Sequence, residues 1–239
     1  MTAKEKKELL IPVLYYLFPY ILQLFAWFPT RAAFEFFLRF DVRGLKNIKR
    51  LDRRKGVIFV ANHADELDPI ILRAALSPFS RLAPMFYAAD EPRFFKKKFG
   101  WRSFLYSSGI FFKLWGAYSV YTGLHDFEKS LINHVRLLQR GRLLAYFPEG
   151  GIPRDGQMRK GKPGIGYLAH KTGAVVVPVG ICGTFQISSH SFFSRQNTVR
   201  VVFGKPQHYA SAYADLATLS TDDYQRISDN IMKDIEKLM

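Results

Sequence analysis

A short apolar run that ends abruptly in polar residues constrains this chain more than any other stretch. The run is Val57–Ala61. The polar residues that follow it are Asn62, His63, Asp65, Glu66 and Asp68. A continuous apolar strand of this kind is buried on both faces, as in a parallel sheet covered by helices. Because ligands bind outside the carboxyl ends of such strands, the polar cluster predicts a functional site.

Other segments extend this prediction to the whole fold. Residues 40–44 are predicted to form an edge strand and turn. Further strands of largely apolar and often β-branched composition are predicted at residues 85–89, 142–147, 174–181 and 198–203. The predicted helices share helical apolar spacing or helix-end signals: residues 69–76, 161–171 and 222–238. Strands that alternate with helices predict an α/β fold with a mixed, largely parallel sheet flanked by helices. A chain of 239 residues suffices for one such domain with a short extension.

His63 and Asp68 are separated by four residues, and a turn over this distance can bring the carboxylate back to one imidazole nitrogen. The other nitrogen would then face the predicted site and act as a general base near neutral pH, while the carboxylate stabilises the imidazolium. A structural alternative stays open, because Asp68 precedes Pro69 and an apolar run. In that alternative Asp68 is the N-cap of the following helix.

Three short motifs follow one another along the chain. They are His63 and Asp68 with four residues between them, Phe-Pro-Glu-Gly at residues 147–150, and Val-Pro-Val at residues 177–179. They resemble the first, third and fourth sequence blocks of the glycerolipid (lysophospholipid) acyltransferase family, which includes bacterial 1-acylglycerol-3-phosphate acyltransferases. The blocks occur in the family's order, and the resemblance covers about residues 40–210.

The resemblance implies a membrane-associated enzyme that moves a fatty acyl group from acyl-CoA or acyl carrier protein to a lysophospholipid hydroxyl. It implies that His63 is the general base, that Asp68 supports it, and that 1-acylglycerol-3-phosphate is the acceptor. No metal or further cofactor is expected, because the thioester donor itself carries the activated acyl group. Two alternatives stay open. One is a different acceptor, such as another lysolipid or an amino lipid, and the other is a non-catalytic lipid-binding relative.

The third block and the segment after it supply the expected substrate-binding residues. The resemblance implies that Glu149 takes part in acceptor binding, and the alternative is a turn carboxylate that caps nearby amides. Glycine lets a ligand approach the backbone closely, so the amides of Gly150 and Gly151 are candidate oxyanion donors. The candidate phosphate ligands are the basic residues Arg154, Lys160 and Lys162. The alternative for these three residues is a solvated basic loop.

Two positions depart from the family pattern. The second block commonly ends in an arginine that helps to hold the acceptor phosphate, and this chain has Thr122 there. The third block commonly has an arginine two residues after its glycine, and this chain has Ile152 there, with Arg154 two residues further on. Threonine donates one neutral hydrogen bond, whereas a guanidinium donates a charge-assisted pair. The identity of the acceptor therefore stays open.

A formal net charge of +15 predicts acidic partners. Aromatic residues make up 15% of the chain, and rings interleaved with cations suit a membrane interface where the cations meet lipid phosphates. Nucleic acid is not an expected partner, since no nucleic-acid-binding motif accompanies the charge. The single cysteine, Cys182, excludes internal disulfides and fits a reducing compartment.

Residues 1–40 are predicted to form a membrane-associated helical segment, followed by an acyltransferase domain at residues 41–239. Residues 9–28 form an apolar run in which Gln23 is the only strongly polar side chain. As a helix this run would reach about 30 Å, the thickness of the hydrocarbon core. Two prolines within the run and basic residues on both sides of it favour an interfacial or hairpin arrangement over a span, with the active site at the cytoplasmic face.

Two further patterns lead to predictions about the surface. Basic and aromatic residues are interleaved between residues 93 and 104, within a predicted helical region at 91–115, and this mixture suits contact with a membrane or an acyl chain. Residues 124–140 have helical periodicity with one apolar stripe. His125 and His134 lie off that stripe and are predicted to be solvated.

Overall fold

The structure is a computed structural model that describes residues 12–52, 54–90, 109–124, 126–213 and 215–239. The predictions made for His125 and for the basic and aromatic cluster at residues 93–104 lie outside the described residues. The beginning of the N-terminal apolar run lies outside them as well.

Seven strands of the described residues form one sheet in the order β1-β7-β6-β2-β5-β3-β4. They are β1 Arg39–Arg43, β2 Val57–Ala61, β3 Met85–Ala89, β4 Ala117–Ser119, β5 Leu143–Tyr146, β6 Val175–Cys182 and β7 Thr198–Phe203. Neighbouring strands are parallel except β6 and β7, which are antiparallel. The prediction of a mixed, largely parallel sheet is thus confirmed. All six predicted strands are present, and β4 is an addition of only three residues.

Helices cover both faces of this sheet. Within the described residues they are α1 Pro12–Phe37, α2 Leu45–Ile48, α3 Asp68–Ala74, α4 Gly109–Leu114, α5 Phe127–Ser130, α6 Ile132–Gln139, α7 Gly164–Thr172, α8 Ser189–Phe193 and α9 Thr221–Glu236. Helices α1 and α3 contribute to the apolar cluster on one face, and α6, α7 and α9 contribute to the cluster on the other. Both faces of the sheet are therefore covered by apolar side chains, as the continuous apolar strands predict.

The central strand β2 shows why an unbroken apolar run was needed. Val57, Phe59 and Ala61 belong to one apolar cluster, while Ile58 and Val60 belong to the opposite cluster. Successive side chains of a strand point to opposite faces, so a strand between two helical layers must be apolar at every position. The first position after the strand is the first at which a polar side chain is tolerated.

The long helix α1 packs against the domain through polar as well as apolar side chains. Gln23, the strongly polar residue of the apolar run, is buried; its amide donates to the carbonyl of Met85 at 2.7 Å and its oxygen accepts from the Met85 N–H at 3.0 Å. Trp27 donates to the carbonyl of Leu76 at 2.8 Å, just beyond the end of α3. Because a buried amide without partners is costly, Gln23 fixes how α1 sits on the sheet.

One side of α1 carries large apolar side chains that remain exposed. They are Leu17, Phe18, Phe25, Phe28 and Phe36, and their spacing places them on one face of the helix. The C-terminal end of α1 also meets α8, with the ring centroids of Phe37 and Phe193 5.0 Å apart. No helix within the described residues combines the length and the hydropathy that a membrane crossing requires.

The prediction that His134 is solvated is wrong. Its side chain is fully buried at 0% exposure, and its Nε2 lies 3.2 Å from the carbonyl oxygen of Tyr118. The segment forms two helices, α5 and α6, with a non-helical backbone at Leu131 between them. A single helical stripe therefore does not describe it. Burial without a charged partner lowers the pKa of His134 to about 4.

Candidate active site

The predicted site lies where β2 and its neighbour β5 end. The two strands are parallel and in register up to the pair Val60 and Tyr146. Their carboxyl ends therefore lie side by side at the centre of the sheet. The loop that begins at Asn62 meets the loop that begins at Phe147, which is the geometry expected of a ligand crevice in an open α/β sheet.

Asn62 ties the end of β2 to the other neighbouring strand, β6. Its side-chain amide donates to the carbonyl of Ile181 at 2.8 Å, and its side-chain oxygen accepts from the N–H of Ile181 at 2.7 Å. Through these two hydrogen bonds the Asn62 side chain continues the pairing of β2 with β6 beyond the last residue of β2. The residue before His63 is thereby held in place, a role that the sequence analysis did not assign to Asn62.

His63 and Asp68 are in contact, as their spacing predicts. Nδ1 of His63 lies 2.9 Å from Oδ2 of Asp68, and Asp68 is fully buried. A carboxylate at Nδ1 favours the tautomer with the proton on that nitrogen, which leaves the lone pair on Nε2. The His63 side chain is 16% exposed, and its Nε2 has no protein partner among the described residues. This is the arrangement of a general base that is open to a substrate hydroxyl.

The capping alternative for Asp68 is not what the structure contains. Helix α3 begins at Asp68, and its N-cap position is Leu67 without a side-chain cap. Oδ2 of Asp68 instead turns back and accepts from the N–H groups of Ala64 at 2.6 Å and Asp65 at 2.8 Å. The carboxylate thus organises the turn that carries His63. The catalytic role of the pair stays a prediction.

Phe147 supports the imidazole from one face. The ring centroids of Phe147 and His63 are 4.4 Å apart and the rings are nearly parallel, with an interplanar angle of 30°. Asp68 holds the edge of the imidazole while Phe147 restricts its tilt. In the sequence Phe147 is recognisable only as part of the third block, since nothing in the local pattern relates it to a histidine far away in the chain.

Glu149 is buried at 5% exposure, and both of its carboxylate oxygens accept from backbone amides. Oε1 accepts from the N–H of His63 at 2.8 Å, and Oε2 accepts from the N–H of Arg159 at 2.9 Å. Burial raises the pKa of Glu149, while the two backbone amides and, to a smaller extent, the positive charge of Arg159 act in the opposite direction. Arg159 therefore enters the site through its backbone amide.

Gly150 and Gly151 follow directly. Gly150 adopts a left-handed φ of 67°, and a Cβ at this position would collide with Nζ of Lys162. The N–H of Gly150 already donates to the carbonyl of Phe147 at 3.3 Å, which differs from the expectation that it is free for an oxyanion. Around Gly151 there is open space, and its N–H has no protein partner within the described ranges. Gly151 is therefore the better donor candidate.

The predicted cations are distributed unevenly around this opening. Lys162 lies over Gly150, and its own N–H donates to the carbonyl of Pro148 at 2.8 Å. Lys160 pairs instead with Asp229 of α9, with Nζ 3.8 Å from Oδ2. Arg154 is exposed to solvent. Of the three basic residues expected to bind phosphate, the structure thus brings Lys162 to the site and engages Lys160 elsewhere.

The position of Thr122 also bears on recognition. It follows β4, which lies at the edge of the sheet and is separated from β2 by β5 and β3. At about 4.8 Å per strand, β4 is roughly 14 Å from β2. Thr122 itself is exposed, and it offers one neutral donor where a guanidinium would offer a charge-assisted pair. Among the described residues, no group of three or more His, Cys, Asp or Glu side chains is arranged to hold a metal.

Comparison with known proteins agrees with this geometry. A family model described as Acyltransferase matches residues 39–182. A chloroplastic 1-acyl-sn-glycerol-3-phosphate acyltransferase of Arabidopsis thaliana is 37% identical over 81 residues, which is 33% of this chain and 22% of that protein. A second chloroplastic 1-acyl-sn-glycerol-3-phosphate acyltransferase, from Brassica napus, is 32% identical over 80 residues, covering 33% of this chain and 23% of that protein.

A solved structure resembles the whole fold. The crystal structure of the 1-acyl-sn-glycerophosphate acyltransferase PlsC from Thermotoga maritima superposes with a TM-score of 0.57 and 20% identity, covering 88% of this chain and 77% of that one. Identity at this level supports the fold alone, and the matches to the plant enzymes span less than a quarter of their length. The family model covers more than half of this chain and includes His63, Asp68 and Glu149. The chain therefore belongs to the acyltransferase family.

Proposed function

We propose that this protein transfers a fatty acyl group from the thioester of acyl-CoA or acyl carrier protein to the hydroxyl of a lysophospholipid, with 1-acylglycerol-3-phosphate as the acceptor. The observation that carries the proposal is the contact between His63 and the buried Asp68, which leaves Nε2 of His63 open at the carboxyl edge of the sheet. The names of the plant relatives and of the PlsC structure agree with this acceptor.

In the proposed reaction His63 Nε2 accepts the proton of the acceptor hydroxyl as its oxygen attacks the thioester carbonyl. Asp68 stabilises the imidazolium that forms. The N–H of Gly151 stabilises the negative charge on the carbonyl oxygen. The intermediate then collapses, the carbon–sulfur bond breaks, and the departing thiolate receives the proton from His63. No protein nucleophile is needed, because the acceptor hydroxyl attacks directly.

The acceptor phosphate is proposed to bind between Lys162 and Arg154. The support is the position of the Lys162 ammonium beside Gly150, next to the loop that carries His63. Lys162 is a point charge without the fork geometry of arginine, so this pocket would hold phosphate less rigidly than a guanidinium does. A second candidate is transfer to another lysolipid or an amino lipid, and the residues Thr122 and Ile152 favour it.

We further propose that residues 1–40 associate with the cytoplasmic face of a membrane and that residues 41–239 form the acyltransferase domain. The support is the exposed apolar face of α1, together with the net charge of +15. A helix with such a face lies in the interface plane with its apolar side chains among the acyl chains, while cations meet anionic headgroups. Membrane phospholipid is thus the proposed partner of this segment, and nucleic acid is not.

The test is a thiol-release assay with detergent-solubilised protein, using acyl-CoA and acyl carrier protein donors and acceptors with and without phosphate. Transfer that requires the phosphate-bearing acceptor supports the proposed function. Transfer to uncharged or amino lipids supports the second candidate. Absence of transfer from any donor, with the His63→Ala variant indistinguishable from the unmodified protein, would instead indicate a non-catalytic lipid-binding relative.

A further inference from the structure

Glu149 joins two loops of the site that belong to different parts of the chain. Its Oε1 holds the N–H of His63, and its Oε2 holds the N–H of Arg159. Resting on the proposed function, we propose that Glu149 is a positioning residue that places the His63 base against the basic loop, and that it does not bind the acceptor.

The geometry leaves the Glu149 carboxylate poorly placed to form hydrogen bonds with a substrate. Both carboxylate oxygens accept from backbone amides at 2.8 and 2.9 Å, and the side chain is 5% exposed. Each oxygen keeps a second lone pair, but a substrate hydroxyl can reach a side chain this buried only by moving the loops that surround it. An acceptor phosphate would also meet a like charge there. Burial and the two existing hydrogen bonds together therefore disfavour acceptor binding at Glu149.

The same contacts complete a set of restraints on His63. Two carboxylates hold three consecutive amides: Glu149 accepts from His63, and Asp68 accepts from Ala64 and Asp65. Asp68 also holds the imidazole edge, and Phe147 stacks on its face. Phe147 and Glu149 are two residues apart on one loop. That loop thus fixes both the ring plane and the backbone of His63.

The second oxygen extends the restraint to the recognition side of the site. Arg159 begins the run of basic residues that ends in Lys162, which lies over Gly150. Because one carboxylate holds the amides of His63 and Arg159 at once, it sets the spacing between the base and this loop. A reacting group that is misplaced by about 1 Å can lose about 100-fold in rate. Glu149 thereby acts on catalysis through His63.

The test uses Glu149→Gln in the full chain, because glutamine has the same shape but only one oxygen. Its NH₂ group must face one of the two backbone N–H groups, so one tether is lost. We expect kcat to fall about 10- to 100-fold. The KM and the equilibrium Kd for the acceptor should stay within about twofold, because Lys162 is still held by the hydrogen bond from its N–H to the Pro148 carbonyl. The matched control is Glu236→Gln, at an exposed glutamate of α9 that makes none of the contacts described for the site, and it should behave as the unmodified protein.

A solvent deuterium isotope effect separates positioning from mere loss of folded protein. A misplaced base makes proton transfer slower relative to the other steps, so the isotope effect on kcat should rise in Glu149→Gln, whereas a smaller folded fraction would leave it unchanged. If that variant does not fold, Glu149→Asp is measured in the same way, since it keeps the charge but is too short to reach both amides.

The outcomes are distinct. A tenfold rise in acceptor Kd, or a kcat that equals that of the unmodified protein, would overturn the positioning role. An unchanged isotope effect would overturn it as well. Failure of the unmodified protein to transfer an acyl group to any acceptor would instead overturn the proposed function on which this inference rests.

Discussion

The regions around His63 and His134 contain the same side chain in opposite settings. His63 has a buried carboxylate 2.9 Å from Nδ1 and an open Nε2 at the edge of the sheet. His134 lies on helix α6 and is fully buried. Its Nε2 contacts the backbone carbonyl of Tyr118, and its Nδ1 has no partner among the described residues. Burial alone keeps an imidazole neutral but gives a substrate no access to it. A carboxylate on one side and access on the other are what make it a usable base.

Among the variants that test this comparison, the one that removes the imidazole of His63 should have the largest effect on activity. We expect His63→Ala to lower kcat about 100- to 10,000-fold, because the acceptor hydroxyl loses its base. The melting temperature should change little, since the side chain of His63 is at the edge of the fold and its backbone contacts remain. Steady-state kinetics and thermal melts check both statements. Turnover that survives the change would remove His63 from the mechanism.

The variant Asp68→Asn tests whether the carboxylate behind His63 matters, because it removes the negative charge of the side chain but keeps its shape. The asparagine oxygen can occupy the place of Oδ2, and its NH₂ group can occupy the place of Oδ1, which has no partner within the described residues. The turn therefore keeps its acceptor, but the imidazolium loses its stabilising charge. We expect kcat to fall about 100-fold. If kcat were unaffected, His63 would be acting without a carboxylate behind it, and the comparison with His134 would fail.

Lys162→Ala tests whether the opening in front of His63 binds a phosphate. Loss of one charge-assisted contact of about 1.5 kcal/mol should raise the acceptor KM about tenfold. The variant Lys160→Ala is the matched comparison, since that lysine pairs with Asp229 on α9, and its effect should be within twofold. Kinetics with phosphate-bearing and phosphate-free acceptors decide the matter. Equal effects of the two variants would mean that phosphate binds along the whole basic loop.

His134→Gln should have the smallest effect on activity and a visible one on stability. Because burial holds the pKa of His134 at about 4, below its ordinary value of 6.5, the unfolded chain binds the proton first as the pH falls. The unmodified protein should therefore lose about 2 kcal/mol of unfolding free energy between pH 7 and pH 5 through this group. Glutamine can keep the contact with Tyr118 and does not titrate.

Denaturant melts at the two pH values measure that difference. The variant should lose correspondingly less stability on acidification, with kcat unaltered at pH 7. Identical pH dependence in the two proteins would show that His134 is hydrated in solution. A large loss of activity would contradict the contrast between the two histidines.

Local pattern was enough to predict six of the seven described strands and the contact between His63 and Asp68. Strand β2 and strand β7 were predicted with their observed ends, because each is a continuous or alternating apolar run between clear breaks. His63 and Asp68 are five positions apart, so a single turn decides whether they meet. Such contacts depend on short-range geometry, which the sequence constrains directly.

Contacts between distant parts of the chain were not predictable in the same way. His63 and Glu149 are separated by 86 positions, and Asn62 and Ile181 by 119. Their meeting depends on which strands become neighbours in the sheet, and spacing does not specify that. One signal was available, since Asn62 is the first polar residue after a fully apolar strand. His134 was mispredicted because a break at Leu131 changed which helical face is buried.

The reversed pair of strands at one edge of the sheet has a consequence for how a substrate arrives. Strand β1 runs alongside β7 and against β6, so Arg39, which follows α1, lies near the carboxyl end of β6. Helix α1 thus passes the first residue of β3 at Gln23 and ends near the edge of the sheet where His63 lies. With α1 in the membrane interface as proposed, the search for a lipid acceptor becomes two-dimensional. A lysolipid could then pass from the leaflet to the base without entering bulk water.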